Sequence, residues 1–167
     1  MHLTCDALWL RLCASFPERP VPEPRWAARL SGLRGGELDR VLGRTWREVA
    51  LAELPPVYLS FLTGDGLAYY FPAFVGWLRC RGGGNVDIEL GTALKLLVER
   101  GFELGPFGRD RVPAMVVELD EYVEAWRAEE ADWDGEVDGP PFGDVEEELR
   151  PFVAFAERLR RKEFGAR

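Results

Sequence analysis

Apolar side chains recur along much of this chain at the spacing of an α-helix that turns one face toward a core. The first such segment spans residues 4–16, and its apolar face carries Cys5, Leu8, Trp9, Leu12 and Phe16. The clearest spans residues 112–126, where the stripe is formed by Val112, Met115, Val116, Leu119, Tyr122, Val123 and Trp126. No segment shows the alternation of a half-buried strand. The pattern therefore predicts a mainly α fold.

Shorter elements lie between the first helix and the middle of the chain. The proline-rich run at residues 17–24, PERPVPEP, is predicted to be extended because proline removes main-chain donors and restricts its neighbours. A short apolar helix is expected around residues 38–42, with Gly43 at its end. Thr45 and Glu48 have the spacing of a capping box, which predicts that another helix begins there.

Two further helices are predicted in the second half of the chain. One follows the glycines at residues 82–84 and runs to Arg100, with an apolar stripe at Leu90, Leu94, Leu97 and Val98. Residues 102–111 have the composition of a loop. A last helix starts after Asp144, and its stripe is formed by Leu149, Phe152, Val153, Ala156 and Leu159.

The most aromatic stretch, Thr63–Arg81, has the sequence TGDGLAYYFPAFVGWLRCR. Its helical face carries Leu67, Tyr70, Phe71, Phe74 and Leu78. Pro72 interrupts this pattern, because a proline inside a helix removes one hydrogen bond and costs about 3 kcal/mol. The stretch is therefore predicted to form two buried helices, one ending near Tyr70 and one with Pro72 at its first position.

Length and composition favour one folded unit. The chain has 167 residues, of which 47% are hydrophobic and 12% aromatic, enough for a well-filled core. We expect a single domain, residues 1–167, formed by an irregular bundle of about six to eight helices joined by loops rich in Pro and Gly. Residues 129–143 are acidic and then rich in Gly and Pro, and are predicted to form a mobile loop.

Charge and cysteine content narrow the expected environment. The net charge of −8 argues against nucleic acid as a partner and favours a basic protein. The three cysteines, Cys5, Cys13 and Cys80, form no CxxC pair and are expected to be reduced. The N-terminus lacks the basic segment of a signal peptide, and no apolar run reaches the roughly 20 residues that span a bilayer. A cytoplasmic protein without membrane contact is predicted.

Motifs for catalysis or cofactor binding are weak throughout. His2 is the single histidine and lies at the terminus, which leaves no basis for a histidine-dependent triad or zinc site. Residues 134–139, DGEVDG, resemble the start of a calcium loop, but Val145 stands where a bidentate Glu is needed. The glycines at residues 82–84 are better explained as a connection than as an anion cradle. No catalytic residue, cofactor or metal is predicted.

The aromatic residues allow two interpretations. Such a cluster at helical spacing is typical of a core, yet it could also line a ligand pocket; its members are Trp46, Tyr58, Tyr69, Tyr70, Phe71, Phe74 and Trp77. Tyr69 points away from the face of Leu67 and Phe74, so it is the best candidate for an interface aromatic. Asp65, four residues earlier, is the carboxylate closest to it in the sequence.

Three segments together resemble a known family. They are SFPERPVP after the first helix, then GRTWREV, then LSFLTGDGLAYYFPAFV. Over residues 5–80 the chain resembles an uncharacterised bacterial group, domain of unknown function 6714, although Phe71 stands where Leu is usual. The resemblance implies that Trp46, Tyr69, Tyr70 and Pro72 belong to a family signature. It carries no activity or catalytic residue to this chain.

Three hypotheses about function follow. The first is a non-enzymatic acidic protein that binds a basic protein partner, in the manner of an immunity protein or antitoxin. The second is a small-molecule-binding protein or a carboxylate-based enzyme, with a cleft near the YYFP segment that uses Asp65. The third is a module that pairs with a second copy through residues 112–126. The absence of catalytic motifs favours the first and leaves the oligomeric state open.

Overall fold

The computed structural model describes residues 5–22, 41–51, 61–81, 85–100, 104–131 and 145–161. Helices dominate these ranges, and no strand occurs in them, so the predicted mainly α fold is confirmed. The helices are α1 (Cys5–Ser15), α2 (Trp46–Leu51), α3 (Gly64–Arg81), α4 (Asn85–Arg100), α5 (Pro106–Arg109), α6 (Val112–Ala131) and α7 (Val145–Arg160).

The helices pack in two groups that share α6. In the first group, α3 lies at the centre and contacts α1, α2, α5 and α6. In the second, α7 packs along both α4 and α6. The buried apolar side chains of both groups form one connected core. The apolar stripe predicted for residues 112–126 is largely buried in this core, between α3 and α7.

Threonine side chains cap the starts of two helices, and the first of these starts was predicted from the sequence. At α2, the Thr45 amide donates to Glu48 Oε2 (2.7 Å) and the Glu48 amide donates to Thr45 Oγ1 (3.3 Å), which is the predicted capping box. At α3, the hydroxyl of Thr63 accepts a hydrogen bond from the amide of Gly66 (3.1 Å). These side chains satisfy amides that a helix leaves without partners at its first turn.

The prediction of two helices separated at Pro72 is wrong, because α3 continues through this residue to Arg81. Pro72 has no N–H to donate to the carbonyl of Ala68, four residues earlier. The guanidinium of Arg111 takes the place of that donor: its Nη1 lies 3.0 Å from Ala68 O and 3.1 Å from Tyr69 O. The hydrogen bond that the proline removes is thus supplied by a residue far along the chain.

The loop predicted at residues 102–111 contains the short helix α5. Helix α6 extends beyond the predicted stripe to Ala131, into the first residues of the predicted acidic loop. The remainder of that loop, the predicted helix at residues 38–42 before Val41, and the glycines at residues 82–84 lie outside the described residues. Within the described part of the chain, no helix is long and apolar enough to cross a membrane.

Candidate functional site

The aromatic candidates of α2 and α3 are core residues. Trp46, Tyr69 and Tyr70 are each 0% exposed, and Phe71 and Phe74 are buried with them. Tyr69 was predicted to point away from the face of Leu67 and Phe74, which made it the best interface candidate, but the structure leaves none of its surface exposed. Helix α3 is covered on several sides by α1, α2, α5 and α6, so no outward face remains at this position. Tyr58 and the side chain of Trp77 lie outside the described residues.

The two tyrosine hydroxyls tie α3 to neighbouring segments of main chain. Tyr69 Oη donates to the carbonyl of Arg19 (3.3 Å), and Tyr70 Oη donates to the carbonyl of Arg44 (3.1 Å). Burial raises the pKa of both phenols above the ordinary value. Both side chains are therefore neutral donors at physiological pH, a state suited to holding structure rather than to accepting a proton.

Trp46 fills the space between α1 and α3. Its ring lies 5.5 Å from the ring of Trp9, centroid to centroid, and the guanidinium of Arg47 lies 5.4 Å from its centroid. Its indole Nε1 is buried and has no hydrogen-bond partner in the described part of the chain. The residue stabilises the junction of these helices mainly through apolar and ring contacts.

Asp65 lies in the first turn of α3, against the loop that begins α5. Its carboxylate faces the amides of Gly105 and Gly108, and a Cβ atom at Gly105 would lie only 2.8 Å from Asp65 Cγ. Burial raises the pKa of this carboxyl, while the two amides and Arg109 act in the opposite direction. Gly105 is thus required by the close approach of the carboxylate, and Asp65 joins α3 to α5.

Arg111 is a central polar residue that sequence inspection missed. It is 3% exposed, and besides the two carbonyls of α3 it donates to Pro17 O through Nη2 (3.2 Å). Its guanidinium also lies 5.3 Å from the centroid of Tyr69 and 5.9 Å from that of Phe16. Burial lowers its pKa, but arginine stays charged throughout the physiological range. The only sequence signal for such a residue was Pro72, which inside a helix leaves the carbonyl of Ala68 in need of another donor.

The main chain holds Arg111 at the boundary of two helices. Its amide donates to Gly108 O (3.1 Å) at the end of α5, and its carbonyl accepts from Met115 N (3.0 Å) in the first turn of α6. Nearby, Arg19 forms an ion pair with Asp110. The side chains of Asp110 and Arg111 therefore fasten the segment after α1 across α3.

An open groove lies elsewhere, among α4, α6 and α7. Its volume is about 160 Å³, and the residues around it are Gly91, Thr92, Lys95, Trp126, Glu147, Glu148, Pro151 and Phe152. None of these residues belongs to α3. The floor is apolar, whereas one cation and two carboxylates stand at the rim. Neither Glu147 nor Glu148 forms an ion pair within the described part of the chain.

The walls of the groove are held in place by contacts on either side. Trp126 packs edge-on against Tyr122 (centroids 5.7 Å apart), and Tyr122 in turn contacts Phe152 (4.9 Å). Arg127 of α6 binds Glu146 of α7 with a two-point contact, Nε to Oε1 at 2.8 Å and Nη2 to Oε2 at 3.0 Å. The aromatic floor and the acidic first turn of α7 are thus oriented before any ligand arrives.

Gly91 sets the depth of the groove. A Cβ atom at this position would lie 3.4 Å from Phe152 Cε2 and 4.0 Å from Pro151 Cγ. These are ordinary contact distances, so the glycine is not needed for the approach of α7 to α4, but it leaves the floor without a side chain at that point. Sequence inspection did not single out these groove residues, because they come from three separate helices and match no motif.

The other candidate sites from the sequence fall on parts of the chain that the structure does not describe. His2, residues 134–139 and the glycines at residues 82–84 lie outside the described residues. Within the described ranges, no group of three or more His, Cys, Asp or Glu side chains could hold a metal ion. Comparison with known proteins finds no match for the chain, either among family models or among curated proteins and solved structures.

Proposed function

We propose that this chain is a non-enzymatic binding protein whose partner is a basic protein, in the manner of an immunity protein or antitoxin. The observation that supports the proposal most directly is the groove among α4, α6 and α7. It combines an apolar floor with Glu147 and Glu148, and neither carboxylate has an ion pair within the described part of the chain. Carboxylates exposed in this way attract a basic surface and accelerate association.

The net charge of −8 acts in the same direction over a longer range. Charges distributed over the whole chain steer a basic partner toward it, whereas the groove provides a local point of contact. The residues that an enzymatic hypothesis would need, Asp65 and the two tyrosines, instead form the contacts between α3 and its neighbours. Two further points belong to the same proposal. Kinship with domain of unknown function 6714 is supported by the three sequence segments within residues 5–80, and a cytoplasmic location by the reduced cysteines expected from the sequence.

The test is recovery of a partner from the organism that encodes the chain. The tagged full-length protein is used as bait, next to a variant with Glu147→Gln and Glu148→Gln. The control variant is Glu157→Gln, which changes an exposed carboxylate of the same helix. We expect a stoichiometric partner of high pI that elutes with salt, is lost with the double variant and is kept by the control.

Two outcomes would contradict the proposal. In the first, the bait retains no protein in stoichiometric amount under any salt concentration. In the second, the retained protein is acidic and binds independently of salt, which would show that charge does not recruit it. If a basic partner is found, its toxicity in a host cell, and the relief of that toxicity by co-expression, tests the immunity-type role separately.

A further inference from the structure

The helix beside the groove carries a proline, as α3 does. Pro151 lies in the interior of α7 and lines the groove together with Glu147, one turn earlier. Since proline has no N–H, the carbonyl of Glu147 loses the donor that this turn would normally supply. No side chain in the described part of the chain is seen to replace this donor. The turn that lines the groove thus lacks one regular helical hydrogen bond beside the two carboxylates.

The chain itself shows which group fits such a place. At Pro72 the carbonyl of Ala68, which lacks its main-chain donor, is bound by the guanidinium of Arg111, and this group also lies over the ring of Tyr69. The groove repeats these elements: a proline-interrupted turn, an aromatic ring in Trp126, and acceptors around it. A guanidinium carries five N–H donors in one plane and stacks on aromatic faces, whereas an ammonium is a compact point charge.

We infer that the groove receives an arginine side chain from the partner, which stacks on Trp126 and donates to Glu147 and Glu148. The inference rests on the proposed function, and it specifies which side chain of the basic partner the groove would bind. The volume of about 160 Å³ suits one long side chain rather than a helix or a cofactor. Lys95 at the rim opposes the incoming cation, which limits the affinity of the groove for arginine alone.

The experiment titrates the full-length protein with N-acetyl-arginine methylamide and records amide and indole chemical shifts by NMR. The matched probes are the blocked lysine and citrulline compounds, which change the shape of the cation or remove its charge. We expect millimolar binding of the arginine probe at the groove, several-fold weaker binding of lysine and no binding of citrulline.

Variants of the groove then locate the site. Glu147→Gln with Glu148→Gln, or Trp126→Leu alone, should weaken binding of the arginine probe roughly tenfold. Lys95→Gln should strengthen it several-fold, because it removes the opposing charge. Glu157→Gln is the control and should leave binding unchanged. Far-UV circular dichroism and thermal unfolding show whether each variant is folded, and Lys95→Gln remains informative if Trp126→Leu is not.

Each contrary result identifies what has failed. Equal binding of the arginine and lysine probes, or shifts that map away from the groove, would overturn the inference, while a recovered basic partner would still support the proposed function. A partner that binds the groove variants as tightly as it binds the wild type would also overturn the inference. Light scattering that shows a dimer dispersed by Trp126→Leu would assign the groove to a second copy and would also overturn the inference.

Discussion

Helices α3 and α7 each contain an internal proline, but the two prolines lie in opposite surroundings. Around Pro72, the carbonyls of α3 are bound by Arg111, and the neighbouring side chains of Tyr69 and Tyr70 are completely buried. Around Pro151, the helix borders an open groove whose carboxylates lack ion pairs within the described part of the chain. The same backbone defect is thus compensated inside the core where the chain supplies a side-chain donor, and it borders an open groove where the described residues supply none.

The largest effect is expected when Arg111 is replaced by Met. The substitution keeps most of the volume but removes the substitute donor of Ala68 O and the hydrogen bonds to Tyr69 O and Pro17 O. Since a hydrogen bond from a charged donor contributes about 1.5–3 kcal/mol, the free energy of unfolding should fall by at least about 3 kcal/mol. Urea unfolding at constant m-value measures this loss. Arg150→Met, at an exposed position, is the matched control. A change below about 0.5 kcal/mol for Arg111→Met would show that Arg111 does not compensate for Pro72, and the contrast between the two prolines would fail.

Replacing each proline by Ala compares the two turns directly. Pro151→Ala restores a main-chain donor where the described chain supplies no other, so the free energy of unfolding should rise by about 1–3 kcal/mol. Pro72→Ala should change it by less than about 1 kcal/mol, because Arg111 already occupies the carbonyl of Ala68.

The coupling between Pro72 and Arg111 provides the internal check on this comparison. In a chain that already carries Arg111→Met, Pro72→Ala should recover about 1–2 kcal/mol more than it does in the wild type. The two effects are measured as a double-mutant cycle by urea unfolding. If the effects simply add, the guanidinium is not a substitute for the missing N–H, and Arg111 cannot explain why the two proline turns differ.

Patterns within one element were sufficient to predict most helices from the sequence. Contacts between distant elements could not be predicted in this way. The stripe of residues 112–126 and the capping box at Thr45 are local, so they were predictable from the sequence. The continuity of α3 was not, because the donor for Ala68 comes from Arg111, 43 residues later. The groove could not be predicted for the same reason, since three helices contribute to it.

Two glycines test whether an added Cβ atom is tolerated less well between α3 and α5 than at the groove. Gly105→Ala places a Cβ atom against the carboxylate of Asp65, so the free energy of unfolding should fall by about 1–2 kcal/mol. Gly91→Ala meets Phe152 at an ordinary contact distance, and the higher helix propensity of Ala should raise stability by up to about 1 kcal/mol. Thermal unfolding measures both. Asp65→Ala should reduce the loss at Gly105→Ala, and its failure to do so would show that the carboxylate is not the obstacle.

The smallest effect is expected from Asp65→Asn, and it depends on pH. Burial raises the pKa of Asp65 above its ordinary value of 3.8, so the folded state holds this proton more tightly than the unfolded state does. The contribution of Asp65 to stability is therefore fully present below the ordinary pKa, and declines as pH rises through the folded-state pKa. Between the ordinary pKa and the folded-state pKa, the free energy of unfolding of the wild type should fall relative to that of Asp65→Asn. At higher pH the two should run parallel. The difference is measured by urea unfolding at a series of pH values. A difference that instead grew in favour of the wild type would mean that the amides of Gly105 and Gly108 outweigh burial, and that the contact between α3 and α5 stabilises this carboxylate as an anion.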